Sequence, residues 1–264
     1  MSRFASHYDL YGVTIALRSE AAEVQAAGVA VLPPGWREID APDAVDRSYA
    51  ITGGASSGCF DLYIDDEPAT GAQDLDDLLI YFRLDVRAYV ARTSPHFLFV
   101  HAGAVGWKGR GVLLPGPSHA GKTTLVAALL RAGATYYSDD YALFDRQGLL
   151  HPYRNPLSVR AEQHRVDIPA EALGGVHGQE ALRLGLVVFT EYRPGHVWQP
   201  APLSSGQALV RLLANTPAAQ QHFRASLHGL RKALEGAACL VGVRGEAEET
   251  AQLLLDHGRT LGST

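Results

Sequence analysis

GVLLPGPSHAGKTTLVAALLRAGATYYSDD, residues 111–140, is the stretch of sequence that decides the fold. Its first residues, Gly111–Pro115, are apolar and β-like, and a glycine-rich segment follows them. The next residues carry the apolar spacing of a helix, and Thr135–Ser138 is typical of a second strand, which ends in Asp139 and Asp140. A strand, a glycine-rich loop, a helix and another strand in this order predict an α/β fold.

The glycine-rich segment Gly116–Thr123 matches the pattern G-x-x-x-x-G-K-[ST] of the phosphate-binding P-loop. Glycine lets backbone N–H groups approach a phosphate without a Cβ in the way, and the N-terminus of the following helix attracts the same anion. In such loops the lysine, here Lys122, reaches the β- and γ-phosphates, and the hydroxyl of Thr123 holds Mg²⁺. The positions expected to bind the nucleotide are Gly116, Ser118, His119, Ala120, Gly121, Lys122, Thr123 and Thr124.

The paired carboxylates after the second strand suit the same chemistry. One carboxylate at the end of a neighbouring strand can complete the shell of a magnesium ion. A second carboxylate beside it can accept the proton of an attacking hydroxyl, or hold a water molecule. The alternative is a degenerate loop that binds an anion alone, or nothing.

The bulk composition is that of an ordinary globular protein of 264 residues, with 47% hydrophobic and 19% charged residues. A net charge of −5 argues against a protein built to bind nucleic acid or a membrane surface. Cys59 and Cys239 lie far apart, so we expect no disulfide framework and a reducing cytosol. The N-terminus lacks an apolar signal core, and no run approaches the ~18 apolar residues of a membrane helix. These features predict a cytoplasmic protein without a nucleic-acid or membrane partner.

Pro95 marks a boundary between a smaller α+β region, residues 1–95, and a P-loop domain, residues 96–264. Recognition of a substrate or partner is the role left open for the first region. Its expected elements are strands at Tyr11–Arg18, Arg47–Thr52 and Phe60–Ile64 and a helix at Leu75–Arg92. In the second region we expect Tyr141–Phe144 to extend the second strand, further strands at Leu184–Phe189 and Cys239–Val243, and helices at Ser205–Ala214, Ala218–Glu235 and Glu246–His257.

His101 is the main candidate outside the loop. The apolar strand Phe97–Val100 ends at this histidine, one strand before the P-loop strand. Ligands of open α/β sheets collect at the carboxyl ends of strands, so His101 can contact a phosphate or modulate a neighbouring acid. The alternative is a hydrogen-bonded core histidine. The second-tier candidates fall into two groups. One residue of the basic segment Arg154, Arg160, His164 and Arg165 could stabilise a transferring phosphoryl group, and Glu191 and Arg193 lie at the carboxyl end of the strand Leu184–Phe189.

The segment His101–Arg160 resembles the catalytic domain of HPr kinase/phosphorylase. The resemblance rests on His101 followed by Gly103, on the loop Gly116–Thr123, and on the carboxylate pair some seventeen residues after Lys122. The resemblance covers residues 97–264, but the matching residues are dense only in the first third. It implies a P-loop nucleotide site of the type that the family shares with phosphoenolpyruvate carboxykinase.

The resemblance also implies roles for the residues. Asp139 would be the base that takes the proton from a serine hydroxyl, Asp140 would lie on the Mg²⁺ side, and His101 would lie near the transferred phosphate. The exchanged assignment of the two aspartates stays open. The family's acidic-x-Arg-Gly-Leu-Gly signature has no match, since the nearest text is EALRLGL at Glu180–Leu186. Kinases that modify ribosomally made peptides, such as lasso peptide precursors, are therefore a better analogy than the HPr enzymes.

The sequence thus predicts an ATP- and Mg²⁺-dependent kinase that phosphorylates a serine hydroxyl of a peptide or small protein. The catalytic residues would be Asp139, Lys122 and His101, with Thr123 and Asp140 at the metal. Two alternatives stay open: a nucleotide-sensing module without turnover, and a kinase of a small molecule such as free serine. The family includes ring-shaped oligomers, so a homo-oligomer also stays open.

Overall fold

The computed structural model describes residues 3–54, 58–117, 120–161 and 164–261, with the backbone alone at residues 160, 161, 164, 165 and 258–261. The chain divides into two compact units, Met1–His96 and Phe97–Thr264, each with its own sheet. Both units combine strands with helices, so the fold is mixed α/β, as the sequence predicts.

The first unit is a sheet with helices packed on it. Its elements are the strands β1 (Phe4–Leu10), β2 (Val13–Ser19), β3 (Arg37–Ile39), β4 (Arg47–Gly54), β5 (Cys59–Ile64) and β6 (Glu67–Ala72), and the helices α1 (Ala22–Ala30) and α2 (Leu75–Thr93). The strand order across the sheet is β3-β1-β2-β4-β5-β6, and of these neighbours β2 and β4 run parallel while the others run antiparallel.

Helix α2 confirms the helix predicted from apolar spacing. Asp74 caps its N-terminus, because the carboxylate accepts a hydrogen bond of 2.7 Å from the backbone N–H of Asp76. One face of the helix, including Leu78, Phe82 and Val86, is buried. Removal of this apolar stripe from water stabilises the helix in its position.

The predicted strand Tyr11–Arg18 is wrong at its start. The backbone turns at Tyr11 and Gly12, whose φ angles are 59° and 84°. Positive φ at two successive residues makes a tight hairpin turn, so β1 and β2 pair antiparallel from Leu10 and Val13 outward. The apolar pattern over this segment hides the turn, because Tyr11 is an unusual residue at positive φ.

The second unit holds the candidate site. Its strands are β7 (Leu98–Trp107), β8 (Arg110–Pro115), β9 (Thr135–Ser138), β10 (Tyr141–Phe144), β11 (Leu150–His151), β12 (Leu157–Ala161), β13 (His164–Ile168), β14 (Val176–His177), β15 (Leu184–Tyr192), β16 (Ala201–Pro202) and β17 (Ala238–Arg244). Its α-helices are α3 (Lys122–Arg131), α4 (Ser205–Leu213), α5 (Phe223–Ala233) and α6 (Ala247–Leu261), with short 3₁₀ helices at Ala170–Leu173 and Pro217–Gln220.

The main sheet of this unit has the order β11-β10-β7-β8-β15-β17-β16, and β9 pairs with β7 and β14. β8, β15 and β17 run parallel to one another, so their carboxyl ends lie at one edge. Side chains of β8 alternate between two cores: Val112 and Leu114 pack with α3 and α6, and Leu113 packs with α4 and α5 on the other face. β12 and β13 form a separate hairpin.

Three predicted elements of the second unit differ from the structure. β7 does not end at His101 but continues to Trp107, because its second half pairs with β8 on one side and β9 on the other. The predicted helix Ala218–Glu235 is divided, since a 3₁₀ turn that starts at Pro217 is followed by α5 from Phe223. β10 continues the direction of β9 along β7, as predicted, but the carboxylate pair interrupts the strand.

Among the helices within the described ranges, none is both long and apolar enough to cross a membrane.

Candidate functional site

The candidate site lies where β8 ends and α3 begins. The loop between them starts at Gly116, and α3 starts at Lys122 with Gly121 as its N-cap. Ser118 and His119, two of the predicted nucleotide-binding positions, lie outside the described residues. Ala120 donates its N–H to the Pro117 carbonyl at 3.3 Å, and Thr124 is exposed in the first turn of α3. The strand, loop and helix therefore follow one another as the sequence predicts.

Gly121 is the residue whose backbone only glycine suits. Its φ is +75°, and a Cβ there would lie 2.4 Å from a guanidinium nitrogen, Nη2, of Arg244. That nitrogen donates a hydrogen bond of 2.9 Å to the Gly121 carbonyl, while Nη1 donates to Gly245 at 2.9 Å. Arg244 is 2% exposed, and burial lowers the pKa of its guanidinium. The end of β17 thus holds the last peptide of the loop.

Lys122 lies against the loop that it follows. Its Nζ donates hydrogen bonds of 2.8 Å to the carbonyls of Gly116 and Pro117. The side chain is buried, and a buried ammonium needs such partners. The charge is therefore held at the mouth of the loop, where an anion would bind.

Asp139 lies next to the first turn of α3. Its Oδ2 accepts a hydrogen bond of 2.8 Å from the hydroxyl of Thr123 and a longer one, 3.4 Å, from the backbone N–H of Ser158. Its Oδ1 is buried and has no hydrogen-bond partner among the residues that the structure describes. A buried carboxylate oxygen without a donor is costly and rare in proteins, and it indicates that a cation or proton belongs there.

The surroundings of Asp139 raise the pKa of its carboxyl group from 3.8 to about 7. Burial is the main cause, and the neighbouring charge of Asp140 adds to it. The hydrogen bonds from Thr123 and Ser158 and the charge of Lys122 act in the opposite direction. The carboxyl group therefore changes its protonation near neutral pH, which is common at functional sites.

Asp140 has a different partner. Its Oδ1 lies 3.3 Å from Nε2 of His101, and the two side chains are partly exposed, 31% for Asp140 and 26% for His101. The two aspartates lie between β9 and β10 along β7, and the Asp140 carbonyl accepts a hydrogen bond from the N–H of Ala102. The pair lies in the bend between these two strands, and its two side chains have separate partners.

His101 joins the pair to the loop. Its Nδ1 lies 3.1 Å from the Gly116 carbonyl, and its Nε2 lies 3.3 Å from Oδ1 of Asp140. Because 26% of its side chain is exposed, His101 lies at the edge of the site rather than within the core.

The chemistry of the donor set fits Mg²⁺. This ion is usually held by one or two carboxylates together with waters and substrate phosphates, rather than by an all-protein cage. The unpaired oxygen of Asp139 and the hydroxyl of Thr123 are hard oxygen ligands of this kind. In the described part of the chain, no group of three or more His, Cys, Asp and Glu side chains forms a cage for a metal.

The second-tier candidates have partners of their own or lie outside the described side chains. Arg154 donates to Gln179 at 2.7 Å, and Glu191 and Arg193 form an exposed ion pair at 3.0 Å. The side chains outside the described set are those of Arg160, His164 and Arg165.

Sequence reasoning missed three residues that the fold brings close to the loop and the aspartates: Ser158, Tyr192 and Arg244. Arg244 follows the predicted strand Cys239–Val243, and it ends a strand at the same edge as the loop. A polar side chain directly after a short apolar strand is the signal that could have pointed to it.

No model of a known protein family matches the chain, and none of the curated proteins matches it. Among solved structures, the chain is similar to the Hpr(Ser) kinase/phosphatase from Coxiella burnetii, with a TM-score of 0.36 and 14% sequence identity. That similarity covers 62% of this chain and 99% of the other.

Proposed function

We propose that the protein is a Mg²⁺- and ATP-dependent kinase that transfers the γ-phosphoryl group to a serine hydroxyl of a peptide or small protein. The observation that carries the proposal is the contact of 2.8 Å between Thr123 and Asp139, with the His101–Asp140 pair beside it. The first contact offers oxygen ligands for the metal of a nucleotide. The second places a partly exposed carboxylate next to it, which a site that only binds nucleotide does not need.

Each residue has a role in this proposal. Lys122 exchanges the carbonyls of Gly116 and Pro117 for phosphate oxygens of ATP. Thr123 and Asp139 would hold Mg²⁺, which would supply positive charge beside the phosphates. The backbone N–H groups at the start of α3 stabilise negative charge that develops during transfer.

The contacts favour the exchanged assignment of the aspartates. The carboxylate that bonds the P-loop threonine is the one suited to the metal, and this is Asp139. An acceptor hydroxyl arrives from solvent, and Asp140 is the more exposed carboxylate of the pair. In the transfer, the acceptor oxygen forms a bond to the γ-phosphorus, the bond to the bridging oxygen breaks and ADP leaves. The hydroxyl proton goes to Asp140, whose carboxylate His101 orients through the contact of 3.3 Å.

Intact mass spectrometry of acceptors after incubation with ATP and Mg²⁺ tests the proposal. The panel contains HPr, free serine and short peptides encoded beside this gene. We expect a mass gain of one phosphate on a peptide or protein, lost in Lys122→Ala and kept in the control Lys232→Ala, whose lysine lies on α5 beside Glu235.

The other outcomes separate the alternatives. A gain on free serine alone would support the small-molecule kinase. Binding of ATP without its consumption, in the presence of every acceptor, would contradict the kinase and support a nucleotide-sensing module.

A further inference from the structure

The order of the strands predicts how a bound nucleotide is oriented along the edge of the sheet. The residues assigned above to the transferred phosphate, His101 and Asp140, lie on the side of β8 where β7 is its neighbour. On the opposite side of β8 lie β15 and then β17. A triphosphate that lies over the loop with its γ-phosphate toward His101 therefore directs its nucleoside toward the ends of β15 and β17.

An exposed aromatic side chain lies at that end. Tyr192 is the last residue of β15 and pairs in register with Arg244, the last residue of β17. It is 45% exposed. Its Cβ lies 4.0 Å from the position that a Cβ on Gly121 would take, so the ring begins directly beside the P-loop.

The position of the Tyr192 ring is fixed by its neighbours. Its hydroxyl donates to a carboxylate oxygen of Glu246 at 3.2 Å, and the guanidinium carbon of Arg244 lies 5.2 Å from the ring centroid. A ring held at its tip and on one side loses little freedom when a ligand stacks on it.

We propose that Tyr192 is the stacking platform for the base of the bound purine nucleotide, at the end of the site opposite His101 and Asp140. The inference rests on the proposed function, because that function sets the direction of the triphosphate. Stacking engages the face of a base and tolerates different bases. The platform therefore binds adenine and guanine nucleotides with similar affinity.

Calorimetric titration with ATP, GTP and inorganic triphosphate, each with Mg²⁺, tests the platform. Tyr192→Ala should weaken ATP and GTP binding by about 5- to 150-fold, the range that loss of one base–aromatic stack produces. Binding of inorganic triphosphate, which has no base, should stay within about twofold, and this also shows that the loop is intact. Tyr192→Phe keeps the ring and should bind ATP nearly as well as the unaltered protein.

Tyr81→Ala is the matched control, since Tyr81 on α2 is 46% exposed, nearly the same as Tyr192.

An equal loss of ATP and triphosphate binding in Tyr192→Ala would overturn the platform, because the ring would then act through the loop. Unchanged ATP binding in that variant would overturn it too. If the unaltered protein binds ATP and inorganic triphosphate with the same affinity, the base contributes nothing to binding. The protein would then have a phosphate site at Lys122 but no platform for the base. Failure of the unaltered protein to bind ATP at all would overturn the proposed function together with the platform.

Discussion

Asp139 and Asp140 are adjacent in sequence but differ in burial and in partner, so substitution of each should have a different effect. Asp140→Asn should lower the rate of phosphoryl transfer by about a hundredfold or more, the usual contribution of a general base, and leave Mg²⁺–ATP binding in place. Asp139→Asn should raise the Mg²⁺ concentration needed for half-maximal activity. Transfer assays over a Mg²⁺ titration distinguish the two. An Asp139→Asn variant whose transfer rate at saturating Mg²⁺ falls by about a hundredfold or more, with an unchanged Mg²⁺ concentration for half-maximal activity, would restore Asp139 as the base.

The buried carboxyl group of Asp139 should also make stability depend on pH. Its pKa is raised to about 7 from 3.8, so between these values the folded state holds a proton that the unfolded state has released. The free energy of unfolding therefore falls as pH rises through this window, by at most about 4 kcal/mol at about 1.4 kcal/mol for each pH unit.

Asp139→Asn removes this penalty. Without metal or nucleotide, the variant should exceed the unaltered protein in urea midpoint by more at pH 8 than at pH 5. Asparagine can still accept the hydrogen bond from Thr123, so the comparison isolates the charge. The prediction fails if the difference between the two proteins is the same at both pH values.

At the scale of elements, the junction of the loop with α3 depends on Gly121. In Gly121→Ala the residue would carry a Cβ at positive φ, which costs about 1–2 kcal/mol, and the Cβ would displace Nη2 of Arg244. We expect a lower urea midpoint and at least tenfold weaker ATP binding, measured by denaturation and calorimetry.

Gly206→Ala is the control for that substitution. Gly206 lies in α4, and a Cβ there meets open space. Alanine is the better helix former by about 1 kcal/mol, so this variant should be equally or more stable and should bind ATP normally. Equal losses in both variants would mean that the geometry at Gly121 has no special role.

The elements nearest the loop could be predicted because their signals are local. Apolar spacing and glycines place β8, α3 and β9 without knowledge of the rest of the chain. The continuation of β7 past His101 was not predictable, because the small residues Ala102 and Gly103 resemble a break. Pairing on both sides keeps this segment extended, and a single strand's sequence does not report its neighbours.

The same reasoning explains the site. His101, Lys122, Thr123 and the aspartates come from one segment, and the structure places them close together. Arg244 is 123 residues from the Gly121 carbonyl that it bonds. That contact follows from the parallel order of β8, β15 and β17, which the sequence does not specify.

At the scale of the whole molecule, each unit contains its own sheet and buried side chains. We therefore expect a fragment of residues 97–264 to fold alone and to bind ATP with an affinity within about threefold of the full chain. Circular dichroism, thermal unfolding and calorimetry check this. A fragment that does not unfold cooperatively would show that the first unit is needed for folding, and a folded fragment without ATP binding would place part of the nucleotide site in residues 1–96.

The hydrogen bond from Arg244 to Gly121 has a consequence for synthesis on the ribosome. At about 5–20 residues per second, translation from Gly121 to Arg244 takes roughly 6 to 25 s. During that interval the nascent chain carries the complete P-loop motif, while the arginine that holds the last peptide of the loop has yet to be made. We expect the growing chain to acquire tight nucleotide binding late, only after β17 has left the exit tunnel and joined the sheet.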